Sequence, residues 1–347
     1  MIPLSIPHLQ GNEWKYIKDC LDTNWVSAVG SYVDRFEREF AGYIGVENAC
    51  VTINGTAALE LSLRILGIGP GDEVIVPSLT FAASVNAVRY VGADPVFADV
   101  CRDTYVMDAE MIGPLISDNT RAIMPVHIYG HPADMDSIME TARKHGLFVI
   151  EDATESLGST YKGKQTGSFG HMGCFSFNGN KMITTGAGGM IASANPEYIA
   201  RARFLSNQAK PSCDIPEAVY HDEIGYNYRM SNISAALGCA QLENLGRHVA
   251  AKISNAEKYD GLLRGKPGIT LPVQKEHCVN CHWLYSVVIE DDYRMKRNEL
   301  ISHLKDNGVE SRPFFYPVHR MPHYSDCRAG DMSVTMHLFD NGLCLPS

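Results

Sequence analysis

Four short runs with apolar centres, separated by helix-length segments, limit what this chain can fold into. They are Glu73–Pro77, Pro95–Ala98, Arg121–Val126 and Leu147–Ile150. A strand with one wet face alternates apolar and polar residues. These runs do not, so they read as strands buried on both faces. Between them, Phe81–Tyr90 and Met135–His145 read as helices, and Asn54 is placed to cap another from Thr56 to about Leu66. The expected class is α/β, a mostly parallel sheet sandwiched by helices. Gly67-Ile-Gly-Pro-Gly71 follows a helix and precedes a strand, the reverse of a dinucleotide loop, and reads as a helix-terminating turn. No Gly-Lys-Ser/Thr occurs, which removes a Walker loop. Sheets of this kind bind ligands beyond the carboxyl ends of their strands. Thr80-Phe81, His127, Asp152 and Ser176 all fall there.

The chain has 347 residues, more than one typical domain. The expected division is a large domain over 1–240 and a smaller C-terminal α+β domain over 241–347. A net charge of −10 argues against nucleic acid or an anionic membrane as partner. No apolar run reaches spanning length and no basic, apolar leader is present, so the expected compartment is cytoplasmic. Ten cysteines are scattered along the chain, as small buried hydrophobes would be in a reducing compartment. His277-Cys278-Val-Asn-Cys281-His282 has metal-ligand residue types. It lacks a second pair nearby and runs into a strand-like segment, Trp283–Ile289, so no metal is expected.

The chemistry concentrates in Gly173-Cys-Phe-Ser-Phe-Asn-Gly-Asn-Lys181 and the glycine-rich stretch that follows it to Gly189. A strand, Cys174–Phe177, is followed by one lysine and then by three glycines within four positions, which no ordinary helix tolerates. A lysine met alone is a solvated lysine. Asn54-Gly-Thr-Ala-Ala58 and Glu151-Asp152-Ala-Thr-Glu155 give this one a context. A lysine amine forms a Schiff base with an aldehyde cofactor. An aspartate at a strand end, Asp152, can keep a pyridine nitrogen protonated. Gly-Thr-Ala at a helix start offers N–H groups and a hydroxyl to a phosphate. Ser176 adds a hydroxyl, and Phe81 an aromatic face. Each has an ordinary reading by itself: Asn54 a cap, Asp152 a capping acid, Phe81 a core residue. Together and in this order they point to a pocket for pyridoxal 5′-phosphate.

The chain resembles the DegT-type nucleotide-sugar aminotransferases, a family of fold-type I pyridoxal phosphate enzymes. The likeness runs from Gly11-Asn-Glu-Trp-Lys-Tyr16 and Trp25-Val-Ser27 through Gly225-Tyr-Asn-Tyr-Arg-Met-Ser231 to Gly342-Leu-Cys-Leu-Pro-Ser347. It implies that Lys181 is the Schiff-base lysine and proton shuttle, that Asp152 pairs with the ring nitrogen and that Phe81 stacks on the ring. Gly55, Thr56, Ala57 and Ser176 would hold the phosphate, and Glu155 would lie near the ring hydroxyl. Asn227 would reach the phosphate across an interface, which implies a homodimer with shared active sites. Asn178, Arg229, Tyr316 and His319 would face the substrate.

Phe177–Lys181, Ala202–Ala209 and the last six residues resemble one branch in particular. That branch moves an amino group from L-glutamate to C4 of a UDP-linked 4-keto-6-deoxy-N-acetylhexosamine. GDP-perosamine synthases share the Gly-Asn-Lys and Asn-Tyr-Arg-Met segments and form the second reading; a non-catalytic cofactor-binding relative is the third. Relatives that dehydrate at C3 carry histidine in place of the lysine, so Lys181 implies amino transfer. Three departures stand out: Asn178 where much of the wider family has histidine, Ala187 where Glu or Gly is commoner, and relatives that continue past Leu-Pro-Ser with a helix.

Overall fold

A computed structural model describes residues 1–210, 221 and 223–347. Its centre is a seven-stranded sheet of β1 (Asn48–Thr52), β2 (Glu73–Pro77), β3 (Asp94–Ala98), β4 (Thr120–Ile123), β5 (Phe148–Asp152), β6 (Met172–Ser176) and β7 (Gly189–Ser193), in the order β1-β7-β6-β5-β4-β2-β3. From β3 across to β6 every pairing is parallel; β7 runs antiparallel to both of its neighbours. The exception follows from the connection. β6 returns to β7 through a loop with no helix, and such a hairpin can only lay its strands antiparallel. Lys181 sits in that loop.

Both sheet faces are buried, as the unbroken apolar runs require. Ile75 and Phe175 point into one core with Phe36, Phe40 and Phe177, while Val74, Val76 and Cys174 point into another with Leu59, Leu61 and Leu63. Three helices cover strands that carry the site: α1 (Gly55–Ile65), α2 (Ala82–Tyr90) and α3 (Met135–His145). Helix α1 starts where expected, with Asn54 in extended backbone accepting the Ala57 N–H at 2.8 Å. Phe81 lies one residue outside α2, as its cap. β4 stops at Ile123, short of Val126, because Pro125 has no N–H to give the ladder. β5 runs past Ile150 through two acids.

Beyond α4 (Asn232–Glu243) and α5 (Leu245–Leu263) lies a four-stranded sheet. Its strands β8 (Ile269–Thr270), β9 (Tyr285–Ile289), β10 (Arg312–Pro313) and β11 (Gly342–Leu345) have the order β8-β9-β11-β10, with α6 (Ser333–Asn341) just before β11. Tyr285, Val287 and Ile289 pack into a small core with Ala256, Leu300 and Leu343, whereas Trp283, Leu284 and Phe314 join the core of the large sheet. Pairings also cross residue 240. Cys278-Val279 pairs with Thr160-Tyr161, and Ile2 bridges Val309. No described helix is long and apolar enough to cross a membrane.

Candidate active site

A cleft of about 330 Å³ opens where the carboxyl ends of β5 and β6 meet the start of α1. Gly55, Thr56, Phe81, Asp152, Glu155, Ser176, Asn178 and Lys181 line it together, with Trp283, Arg312 and Phe315 forming the wall from the C-terminal part.

The Lys181 hairpin is closed at its base by the Phe177 N–H on Gly188 O at 2.8 Å and the Thr185 N–H on Phe177 O at 2.9 Å. Gly189 pairs with both Thr52 and Ser176, and a Cβ there would come within 2.5 Å of the Asn54 carbonyl carbon. This glycine therefore lets the hairpin lie against the cap of α1. Ala187 is exposed at the turn and stays out of the cleft. The Lys181 side chain is only 13% exposed; its Nζ lies 3.5 Å from Glu155 Oε1 and 4.0 Å from the Trp283 ring centroid. The indole is fixed in turn by its Nε1–H on Asn180 O at 2.7 Å.

Glu155 is buried, and its other oxygen accepts the Tyr129 N–H at 2.9 Å. Burial pushes its pKa up, opposed by the Lys181 ammonium, the Tyr129 N–H and the Arg312 guanidinium. Tyr129 holds φ at 54°, a left-handed conformation that costs energy in a non-glycine residue. Contacts from the C-terminal part hold it there: its hydroxyl accepts the Phe315 N–H at 3.2 Å and its ring stacks on Phe315.

Asp152 ends β5 and is 2% exposed. One oxygen accepts the Ser84 hydroxyl at 2.7 Å and the other the Thr154 N–H at 3.1 Å. No described lysine, arginine or histidine forms an ion pair with it. A buried carboxylate with two neutral donors and no counter-ion is arranged for a cationic N–H brought by a ligand.

The first N–H groups of α1 have no partner inside the helix. A Cβ on Gly55 would lie 2.9 Å from Ser176 Cβ and 3.3 Å from Phe175 O. Only glycine lets Ser176 stand so close to this N-terminus, which leaves Gly55, Thr56 and Ser176 together where they could hold a phosphate. Ala57 departs from the sequence expectation: its N–H is already taken by Asn54, it is buried, and it does not line the cleft.

The remaining expected residues lie elsewhere in this chain. Asn227 is exposed and bridges Asn207; neither it nor Arg229 lines the cleft. Tyr316 packs edge-on against Phe339, and His319 is drawn to Ser78, Nδ1 to Oγ at 2.6 Å. Neither lines the cleft, although both follow Phe315 by a few residues. Phe81 does line the cleft, 60% exposed, with its ring 5.8 Å from that of Phe315. Ser84, Thr154, Asn180, Trp283, Arg312 and Phe315 were not expected in the site. Ser84 carried one signal, its position three residues after Phe81 in α2.

Cys281 lies against Glu155, its thiol 3.6 Å from Glu155 O, and Cys278 pairs with Tyr161. Nine of the ten cysteines are described, all free and seven of them buried; Cys213 lies outside the described residues.

A lysine pinned to an acid and an indole, a counter-ion-free aspartate and a glycine-built anion cradle define a pyridoxal phosphate-dependent aminotransferase of fold type I. The chain belongs to the DegT/DnrJ/EryC1/StrS aminotransferase family, whose model matches residues 7–347. It is 44% identical to a GDP-perosamine synthase of Caulobacter vibrioides, over all of this chain and 93% of that one. A UDP-N-acetyl-3-dehydro-alpha-D-glucosamine 3-aminotransferase of Acidithiobacillus ferrooxidans is 36% identical over 92% of this chain and 84% of its own length. Among solved structures, S. venezuelae DesV superposes with a TM-score of 0.89 at 35% identity, over 96% of this chain and 88% of that one. The cofactor is pyridoxal 5′-phosphate, which the residues present fit, and the activity is that of a sugar aminotransferase.

Proposed function

We propose that this enzyme moves an amino group from L-glutamate to the C4 keto group of a GDP-linked 4-keto-6-deoxymannose. The nucleotide assignment is supported by GDP-perosamine synthases of three organisms at 43–44% identity. It departs from the UDP-linked substrate expected from the sequence. That substrate stays as a second reading, favoured by the run Phe177-Asn-Gly-Asn-Lys181, in which Asn178 lines the cleft.

The amino-transfer reading is carried by Lys181, which meets Glu155 and Trp283 in the same cleft as Asp152. Bound there, pyridoxal phosphate supplies an aldehyde that takes up amines and a ring that stores the electrons freed when a Cα proton leaves. Lys181 Nζ would take that proton from Cα in the first half-reaction and pass it on, and in the second half-reaction would deliver a proton to the sugar's C4. Asp152, its oxygens fixed by Ser84 and Thr154, would keep the ring nitrogen protonated. Gly55, Thr56 and Ser176 would hold the phosphate, and Phe81 would cover the ring. The Glu155 carboxylate holds the lysine over the cleft, while the Trp283 indole shields it from water. Residues 1–240 form the cofactor-binding unit and 241–347 the smaller unit that supplies Trp283, Arg312 and Phe315. Exposed Asn227 serves the site of a second copy in a cytoplasmic homodimer, with Arg229, Tyr316 and His319 toward the substrate.

Incubation with L-glutamate and GDP-, UDP- and dTDP-linked keto sugars, with products identified by NMR, tests the assignment. A 4-amino product from the GDP sugar alone is expected. Turnover of the UDP sugar alone would replace the nucleotide, and a Lys181→Ala protein with normal turnover would end the mechanism. Light scattering at twice the chain mass is expected for the dimer.

A further inference from the structure

The residue before Phe81 also lines the cleft and has no task in the amino-transfer scheme. Thr80 is 1% exposed, and so is Ser84, four positions on in the first turn of α2. Their hydroxyl oxygens lie 2.9 Å apart, and Ser84 Oγ is 2.7 Å from Asp152 Oδ2. The segment after β2, the start of α2 and the end of β5 thus meet in one buried file of oxygens.

The direction of the hydrogens in that file follows from counting them. An ionised carboxylate only accepts, and each hydroxyl has a single hydrogen to give. Ser84 gives its hydrogen to Asp152, so in the contact with Thr80 it is Thr80 that donates. The Phe81 carbonyl competes for both hydrogens, at 3.4 Å from Thr80 Oγ1 and 3.3 Å from Ser84 Oγ. In both cases the side-chain oxygen is nearer, so both O–H dipoles point toward the carboxylate. A hydroxyl that accepts a hydrogen bond donates a stronger one, and the effect is larger in a site closed to water. Without the Thr80 hydroxyl, the Ser84 oxygen would be a buried acceptor with no donor, and the Phe81 carbonyl would compete better for its hydrogen. The Thr154 N–H could not compensate, because it holds the other oxygen of Asp152.

We infer that Thr80 is a positioning residue for amino transfer: through Ser84 it fixes the orientation of Asp152 and strengthens that carboxylate's hold on the ring N–H of the cofactor. This rests on the amino-transfer reading and adds to it a residue that acts on Asp152 at second hand.

The test compares how the whole chain, freed of cofactor, binds pyridoxal 5′-phosphate and its 1-deaza analogue. The analogue has C–H in place of the ring nitrogen and keeps the aldehyde and the phosphate, and equilibrium dialysis reads both affinities. The wild type is expected to prefer the natural cofactor by about 10–100-fold, the worth of one charge-assisted hydrogen bond. Thr80→Val should cut that preference about 3-fold or more while leaving the affinity for the analogue within about 2-fold, and Thr80→Ser should retain it. In a Ser84→Ala protein, where the file is already broken, adding Thr80→Val should change the preference by less than about 2-fold. A Thr80→Val protein that keeps the wild-type preference overturns the inference. So does one that loses both ligands equally, which is the mark of a purely structural role, or an effect that persists after Ser84→Ala. If valine is not tolerated, Thr80→Ala judged against Thr80→Ser decides in its place. A wild type that binds neither compound sinks the amino-transfer reading and this inference with it. A wild type that binds both equally leaves Lys181 its role and removes only that of Asp152, and with it this inference.

Discussion

At the scale of single residues, Asp152 and Gly55 make the sharpest demands on the site. Asp152 has two neutral donors and an open side, so its charge is available for a ring N–H. Asp152→Asn should slow the glutamate half-reaction by up to about 100-fold, because a charge-assisted bond worth ~1.5–3 kcal/mol is replaced. Ser84→Ala should slow it by only about 10-fold, since one neutral hydrogen bond is lost. Single-turnover absorbance of the cofactor measures both, and equal rates in the two variants would refute the ordering. Gly55→Ala tests the cradle. Alanine favours helices, so a gain in stability would follow if space were free. The 2.9 Å approach to Ser176 Cβ predicts the opposite: a loss of ~1–3 kcal/mol in urea unfolding, with cofactor affinity falling as Ser176 is displaced.

Among the elements, α6 has no acceptor at its cap residue, Met332, and the preceding Asp331 takes only the N–H and hydroxyl of Ser333. Asp99, just past β3, does that work from the large sheet. Its carboxylate accepts the N–H groups of Val334 and Thr335 at 3.0 and 2.8 Å and the Thr335 hydroxyl at 2.6 Å. Asp99→Ala should therefore cost ~2–4 kcal/mol in chemical denaturation, more than a surface cap, because the orphaned groups are buried. A change under about 0.5 kcal/mol would show that the contact does not matter.

The legibility of the sequence follows the same division. Asn54, Asp152 and Lys181 were readable because a cap, a strand end and a hairpin are local patterns. Glu151 was not. Two consecutive acids look like the end of a strand, yet Glu151 is fully buried, its oxygens taken by His127 Nε2–H and by the N–H groups of Gly167, Phe169 and Gly170. Trp283 and Arg312 enter the cleft from more than a hundred residues beyond Lys181. Trp283 read as the start of a strand, and nothing local marked Arg312.

For the whole molecule, the seam between the two sheets contains two histidines that the fold keeps neutral. Burial pushes His131 and His282 down to about 4. His131 Nδ1 donates to Pro132 O, leaving its buried Nε2 with no partner. With folded values below the unfolded one, the unfolded chain takes up protons first as pH falls from about 6.5 toward 4. Stability is full above that window and drops within it, by roughly 2 kcal/mol per histidine between pH 7 and 5. Urea midpoints at the two pH values measure the drop. His131→Asn with His282→Asn should flatten it, since asparagine can keep the donor at 131 and suits the positive φ of 48° at 282. An unchanged slope would locate the acid sensitivity elsewhere.

Trp283 carries one more consequence. The other two tryptophans, Trp14 and Trp25, are 75% and 53% exposed, while this one is buried beside the lysine amine. A chromophore tethered to that amine would drain the blue-shifted emission of the buried indole and leave the red-shifted emission of the surface pair. The colour of the intrinsic fluorescence is then a built-in gauge of cofactor loading, readable without any added dye.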